Sequence, residues 1–178
     1  MTARVLTLPG WQGSGPVHWQ TLWEERHGDR RVEQHDWLHP RRGDWMARLE
    51  EVLLAEPASV CLAAHSLGCH LVAAWAAHSA HAGRVRGALL VAPPDLEHAD
   101  MPPALRGWRP IVRRRLPFPA TVVASSDDPY CSLERAAGMA QDWGAGWAPV
   151  GPLGHLNAES GLGAWRTGRA LLEALLCE

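Results

Sequence analysis

Three residue types scattered through the chain could together perform acyl transfer: Ser66, an aspartate at 127 or 128, and His155. A serine hydroxyl is a poor nucleophile at neutral pH. It needs an imidazole within hydrogen-bond reach, and that imidazole needs a carboxylate to hold its tautomer. Ser66 lies in Ala64-His65-Ser66-Leu67-Gly68, which matches the G-x-S-x-G pattern of a nucleophile elbow with alanine in place of the first glycine. An elbow turns from strand to helix so sharply that the residues two before and two after the serine must be small, and Ala64 and Gly68 are. Read without the rest of the chain, the same five residues equally describe a serine capping a buried helix.

Acyl transfer also needs donors for a developing oxyanion. The backbone N–H of Leu67, at a helix N-terminus, is one. The loop Pro9-Gly10-Trp11-Gln12-Gly13-Ser14-Gly15-Pro16 offers the other through the Trp11 amide, because glycine there permits close backbone approach. A nucleotide loop is excluded: Pro16-Val17 stand where a Walker loop needs lysine and a hydroxyl residue, and His18 stands where a dinucleotide fingerprint needs its third glycine. Gln12, Trp37 and His65 are candidate pocket residues: Trp37 belongs to a polar and aromatic loop, His35 to Pro40, and His65 adjoins the nucleophile. His65 points away from Ser66 if the elbow forms, so it is expected to hydrogen-bond surrounding loops, leaving His155 as the base. His78 and His81 lack any further metal-ligand pattern and read as a helix-end surface pair. Neither metal nor cofactor is expected.

These residues must be carried by a sheet. Val5 to Leu8, Val60 to Ala64, Val85 to Ala92 and Thr121 to Ala124 are short apolar runs without the alternation of a half-exposed strand, as in parallel strands covered on both faces. Arg31 to Gln34 and Gly146 to Val150 complete about six strands. Between them come expected helices: one from His18; one capped by Asp44, with Trp45, Leu49, Val52 and Leu53 inward; one from Leu67 to His78; one capped by Ser132, with Leu133, Ala136, Ala137 and Ala140 inward and Gly144 at its end; and a closing one from about Gly161 with Trp165, Leu172 and Leu175 on one face. Regular strand-helix alternation predicts an α/β fold, a mostly parallel sheet with helices on both faces. The proline-rich stretch from Pro93 to Pro119 predicts a partial cover or a surface excursion, too short for a separate lid domain.

At 178 residues the chain suits one domain, and its formal charge of −2 gives no reason to expect nucleic acid or an anionic membrane as partner. The run Arg113-Arg114-Arg115 reads as a solvated loop. No apolar stretch is long enough to span a membrane, and the chain enters a strand almost at once, so a cytoplasmic location is expected. Cys61, Cys69, Cys131 and Cys177 lack paired metal or redox spacing and read as reduced thiols. Ten tryptophans against one tyrosine and one phenylalanine predict indoles in the core and pocket walls, each needing an acceptor for its N–H.

The order serine, aspartate after a later strand, histidine after the last strand is that of α/β-hydrolases, and differs from the orders in chymotrypsin-like and subtilisin-like proteases. Over nearly its whole length the sequence resembles the small single-domain α/β-hydrolases that include retinoblastoma-binding serine hydrolase and its bacterial relatives. The resemblance is carried by L-P-G-W-Q-G-S-G-P-V-H-W at 8–19, A-H-S-L-G at 64–68, S-S-D-D-P-Y at 125–130 and G-H-L-N at 154–157. It implies a compact α/β-hydrolase fold, with Ser66 as nucleophile, Asp128 as orienter and His155 as base. It further implies hydrolysis of a small ester, thioester or amide. Asp128 is also favoured over Asp127 because Pro129 restrains the preceding residue to an extended conformation. The L-x-C-x-E motif of some members is absent, since the tail reads Leu175-Leu176-Cys177-Glu178, so retinoblastoma binding is not implied. A non-catalytic binding module on the same scaffold is the alternative, motivated by Ala64. Without a lid domain, short acyl esters are the expected substrates.

Overall fold

The apolar runs form one parallel sheet. In the computed structural model, which describes residues 3–175, six strands lie in the order β2-β1-β3-β4-β5-β6. They are β1 (Arg4–Leu8), β2 (Arg30–Arg31), β3 (Val60–His65), β4 (Val85–Val91), β5 (Ala120–Ser125) and β6 (Gly146–Val150), and every pairing is parallel. The α/β-hydrolase sheet expected from the sequence is present. β3 at the centre is buried along its whole length, which explains why it contains no alternation.

Helices cover both faces. α1 (Trp19–His27) and α5 (Arg166–Ala174) pack on the face to which Val5, Cys61, Ala63, Leu89 and Val91 point. α2 (Arg42–Ala55), α3 (Leu67–Ala76) and α4 (Leu133–Trp143) pack on the other, against Leu6, Leu62, Ala64, Leu90 and Val122. Most of the tryptophans are buried as their number predicts, although Trp147 on β6 is exposed. Trp19, Trp23 and Trp165 cluster on the first face and Trp37, Trp45 and Trp108 on the second. Four of these six N–H groups donate to backbone carbonyls: Trp19 to Leu156, Trp23 to Ala164, Trp45 to Asp36 and Trp108 to Pro40.

Several boundaries differ from the sequence reading. β2 holds two residues rather than four: Val32 donates its amide to the Thr7 carbonyl and then buries its side chain, which turns the chain off the edge. α2 begins at Arg42 with Arg41 at its N-cap and no side-chain cap, so Asp44 is not the cap; it sits in the first turn, where its charge complements the helix dipole. α3 ends at Ala76, two residues early. In α4 Met139 and Trp143 are buried where Ala137 was expected, while Ser132 does cap the helix through the Arg135 amide. α5 begins at Arg166, because Gly161 instead closes a short 3-10 helix over Ala158–Ser160. Arg113 and Arg114 are not merely solvated: Arg113 bridges Glu97 and Asp142, and Arg114 donates to the Ala77 carbonyl. The first part of the 93–119 segment, up to a 3-10 helix at Pro103–Trp108 anchored by buried Leu105 and Trp108, lies over the carboxyl end of the sheet as a cover, and the rest runs back along α4, where the Leu116 amide donates to the Trp143 carbonyl. Among the described residues no helix is long and apolar enough to cross a membrane. Cys61, Cys69 and Cys131 are buried free thiols, and Cys177 lies outside the described residues.

Candidate active site

At the carboxyl end of β3 the chain turns into α3 through Ser66, whose backbone is held at φ 55° and ψ −123°. A non-glycine residue rarely adopts a positive φ, and such strain costs on the order of 1–3 kcal/mol. Two close approaches fix it there. A Cβ on Gly68 would lie 2.2 Å from the Leu8 carbonyl oxygen, so only glycine lets the start of α3 pack against β1. A Cβ on Gly10 would come within 2.8 Å of the Ser66 Cβ and 3.2 Å of the Leu67 nitrogen, which brings the β1–α1 loop against the elbow. The Ser66 amide is bound to the Val91 carbonyl at 2.9 Å. Ala64 is wholly buried in the sheet and causes no conflict in the place of the motif's first glycine.

The structure brings Ser66, His155 and Asp128 together. His155 Nε2 lies 2.9 Å from Ser66 Oγ, and His155 Nδ1 lies 2.9 Å from Asp128 Oδ2 and 3.1 Å from Oδ1. A carboxylate accepts only, so Nδ1 carries the proton and Nε2 is left bare toward the serine hydroxyl. The Asp128 side chain is 2% exposed and that of His155 10%. The Tyr130 amide donates to Asp128 Oδ1 at 2.9 Å, and the Tyr130 ring stands edge-on to the imidazole with centroids 4.7 Å apart.

Asp127 has a different place. Its Oδ1 accepts from Ser125 Oγ and from the Gly154 amide, both at 2.8 Å, and those bonds hold its carboxyl below the usual carboxylate range. It ties the loop before His155 to the end of β5. His65, expected to bind surrounding loops, donates from Nε2 to the His155 carbonyl at 2.9 Å. Burial drives its pKa well below the usual value, so it stays neutral beside the base. Nearby thiols do not compete as nucleophiles, since burial raises Cys69 well above the ordinary range and Cys131 to about 12.

In the Gly10 loop the Gln12 amide donates to the Trp37 carbonyl and the Gly13 amide to the Gly10 carbonyl, each at 3.0 Å. Among the described residues the Trp11 amide donates to nothing. It and the Leu67 amide therefore remain as donors beside Ser66. The Trp11 side chain is tied back, its Nε1 bound to the Leu38 carbonyl at 2.9 Å.

Ser66 and His155 open into a cavity of about 500 Å³. Pro94, Met101, Pro102 and Leu105 of the cover form an apolar wall; Gln12, His18 and Asn157 contribute polar groups. Gln12 and His65 line it as expected, but Trp37 does not: its ring packs on Gly13 and on Trp45, supporting the loop from behind. Tyr130, His18 and Asn157 could not be assigned from sequence, although each falls inside a motif that carries the family resemblance. Among the described residues no group of three or more histidine, cysteine or carboxylate side chains gathers as a metal site.

A family profile described as serine hydrolase matches residues 5–174, and the chain belongs to that family. Among solved structures it is similar to a putative YdeN-like hydrolase from Pectobacterium atrosepticum, with 28% identity and a TM-score of 0.84 over 98% of this chain and 91% of the other. It shares its fold with the ydeN gene product of B. subtilis (21% identity, TM-score 0.78, 99% and 100% covered). The same holds for a thermophilic esterase from Thermogutta terrifontis (15% identity, TM-score 0.67, 98% and 90% covered). No curated protein matches the chain.

Proposed function

We propose that the chain hydrolyses small esters, thioesters or amides through an acyl-enzyme on Ser66, as a carboxylesterase-like enzyme. The observation that carries this reading is the unbroken relay from Asp128 through His155 to Ser66 Oγ, each link at 2.9 Å, ending at a strained serine on the floor of a cavity. Ser66 Oγ attacks the scissile carbonyl as His155 Nε2 takes its proton, and Asp128 stabilises the imidazolium. The carbonyl oxygen becomes an oxyanion held by the Trp11 and Leu67 amides. On collapse His155 returns the proton to the leaving oxygen, sulfur or nitrogen. Water, deprotonated by the same imidazole, then attacks the acyl-enzyme and regenerates Ser66.

Kinship with the retinoblastoma-binding serine hydrolases is part of this proposal, on the strength of the four shared motifs; retinoblastoma binding is not. Cytoplasmic residence is proposed too, supported by the buried free thiols. The test is labelling by a fluorophosphonate. A single adduct at Ser66, lost in a folded Ser66→Ala variant together with p-nitrophenyl ester turnover, is expected. Labelling that persists in that variant would overturn the assignment, and a folded wild type that neither labels nor turns over would favour the binding-module alternative.

A further inference from the structure

Two buried side-chain nitrogens among the described residues have no hydrogen-bond partner, His18 Nε2 and His70 Nδ1. They are chemically different. His70 Nε2 lies 2.8 Å from the Pro94 carbonyl and must donate to it, so the orphan Nδ1 is a bare acceptor; its ring packs on Trp143, away from the cavity. In His18 the roles are reversed. His18 is the N-cap of α1, and its Nδ1 accepts the Gln20 amide at 3.1 Å. Nδ1 is therefore unprotonated, and the hydrogen of the neutral ring sits on Nε2. That N–H is a buried donor without an acceptor, on a residue that is 3% exposed and lines the same cavity as Ser66.

Gln20 and Arg31 are already engaged. Gln20 accepts from Ser14 Oγ and donates to the Ala63 carbonyl. Arg31 is bound to Glu24, Thr21 and the Ser14 carbonyl. The ring is fixed by its cap bond and by the edge-on contact with His65, centroids 4.7 Å apart. Burial first, and then the charges of Arg31 and His155, hold its pKa down to about 3, so the ring is a neutral donor at working pH and not an anion-binding cation. Among the described residues no arginine lines the cavity, and Glu159 is the one carboxylate that does. An anionic group would thus meet repulsion without a compensating charge.

We propose that His18 is a specificity-determining residue whose Nε2–H hydrogen-bonds a neutral acceptor oxygen of the substrate, an ether, ketone or amide oxygen lying beyond the scissile carbonyl. This deepens, and rests on, the serine-hydrolase reading of the site. A site holding an unpaired buried donor discriminates against an analogue that lacks the acceptor, because the donor stays desolvated and unpaired in that complex.

The experiment uses length-matched esters: p-nitrophenyl 3-ethoxypropanoate and 4-methoxybutanoate against p-nitrophenyl hexanoate, and 2-methoxyethyl against butyl esters for the alcohol side. All rates are divided by the hydroxide-catalysed rates. The wild type is expected to prefer at least one oxygenated ester by about fivefold or more in kcat/KM, and His18→Ser, which retains a capping oxygen but has no donor at that reach, to bring the ratio below about twofold. A ratio near one for every pair in the wild type, or a preference unchanged in the variant, overturns the proposal and leaves the donor to a structural water. If His18→Ser does not fold, wild-type Ser66 adducts of matched ether and hydrocarbon phosphonates decide by NMR. A downfield shift of the His18 Nε2 proton in the ether adduct alone supports the proposal; identical shifts overturn it. Fluorophosphonate labelling of Ser66 separates the two readings, since an enzyme that labels and turns over but shows no oxygen preference refutes only the role of His18.

Discussion

The two ends of the parallel sheet are built on opposite principles. At the carboxyl end the chain repeatedly takes conformations that a side chain disfavours: Gln12 after β1, Ser66 after β3, Ala92 after β4 and Leu156 after β6 all have positive φ. At the amino end local charges are matched. Glu56, before β3, is paired with Arg4 at 3.1 Å and Arg30 at 2.8 Å, Arg84 donates to its carbonyl, and Asp29 is paired with Arg169. One end stores strain where backbone amides and a hydroxyl must be presented, and the other closes the layers through ion pairs. Activity and stability should therefore respond separately to substitutions at the two ends.

The largest separation is expected at Ser66. Ser66→Gly removes the hydroxyl and the positive-φ penalty together, so turnover should vanish while denaturant unfolding shows a gain of about 1 kcal/mol, part of the relief being offset by glycine's unfolded-state entropy. A destabilised Ser66→Gly would mean the elbow carries no strain. Next comes the neighbouring aspartate pair. Asp128→Asn should lower kcat by about 10³- to 10⁴-fold because an amide can donate to Nδ1 and favour the wrong tautomer. Asp127→Asn retains an oxygen for the Ser125 hydroxyl and the Gly154 amide, and should cost less than about tenfold. Measuring both with circular dichroism to check folding decides between them; a larger loss at Asp127 reverses the roles.

A third expectation concerns acid. His18, His65 and His70 are buried and neutral, with pKa values pushed down by burial, to about 3 for His18 and about 4 for His70. Below their unfolded value near 6.5 the unfolded chain takes up protons that the folded chain refuses, so stability falls as pH drops. Each group contributes a slope of up to about 1.4 kcal/mol per pH unit between its two pKa values. Urea unfolding from pH 7 to pH 4.5 should show that decline, and His70→Gln should reduce its slope. A flat profile would show that these rings can be charged in place.

The catalytic half of this contrast is legible in the sequence, and the charge-matched half is not. The apolar runs of β1, β3, β4 and β5 could be read because a strand buried on both faces leaves no alternation, and the elbow because its small residues are fixed by sterics. What escaped depends on contacts made across the chain. Trp37 looks like a pocket wall by its polar and aromatic neighbours, yet its indole is drawn into the Trp45 and Trp108 cluster. β2 looks like a strand of four, but as an edge strand it has one partner and is released once Val32 can bury itself. The orphan N–H of His18 has no sequence signature, since a missing partner is a property of the packed site alone.

The smallest effect should come from the amino end. Glu56 has a side chain that is 5% exposed between Arg4 and Arg30, which are 53% and 45% exposed. Because both cations are half in water, screening reduces what the pairs contribute; because Glu56 is buried, its carboxylate cannot be left unpaired. Glu56→Gln keeps the shape, can still accept from one guanidinium and removes the charge, and the backbone carbonyl that receives Arg84 is untouched. The expected loss is about 1 kcal/mol in urea unfolding, with kcat/KM toward p-nitrophenyl esters within about twofold of wild type. A drop in kcat/KM well beyond that, without a matching loss of fold, would show that the amino end of β3 is coupled to the elbow through the strand itself, and the division between a strained catalytic edge and a charge-matched structural edge would fail.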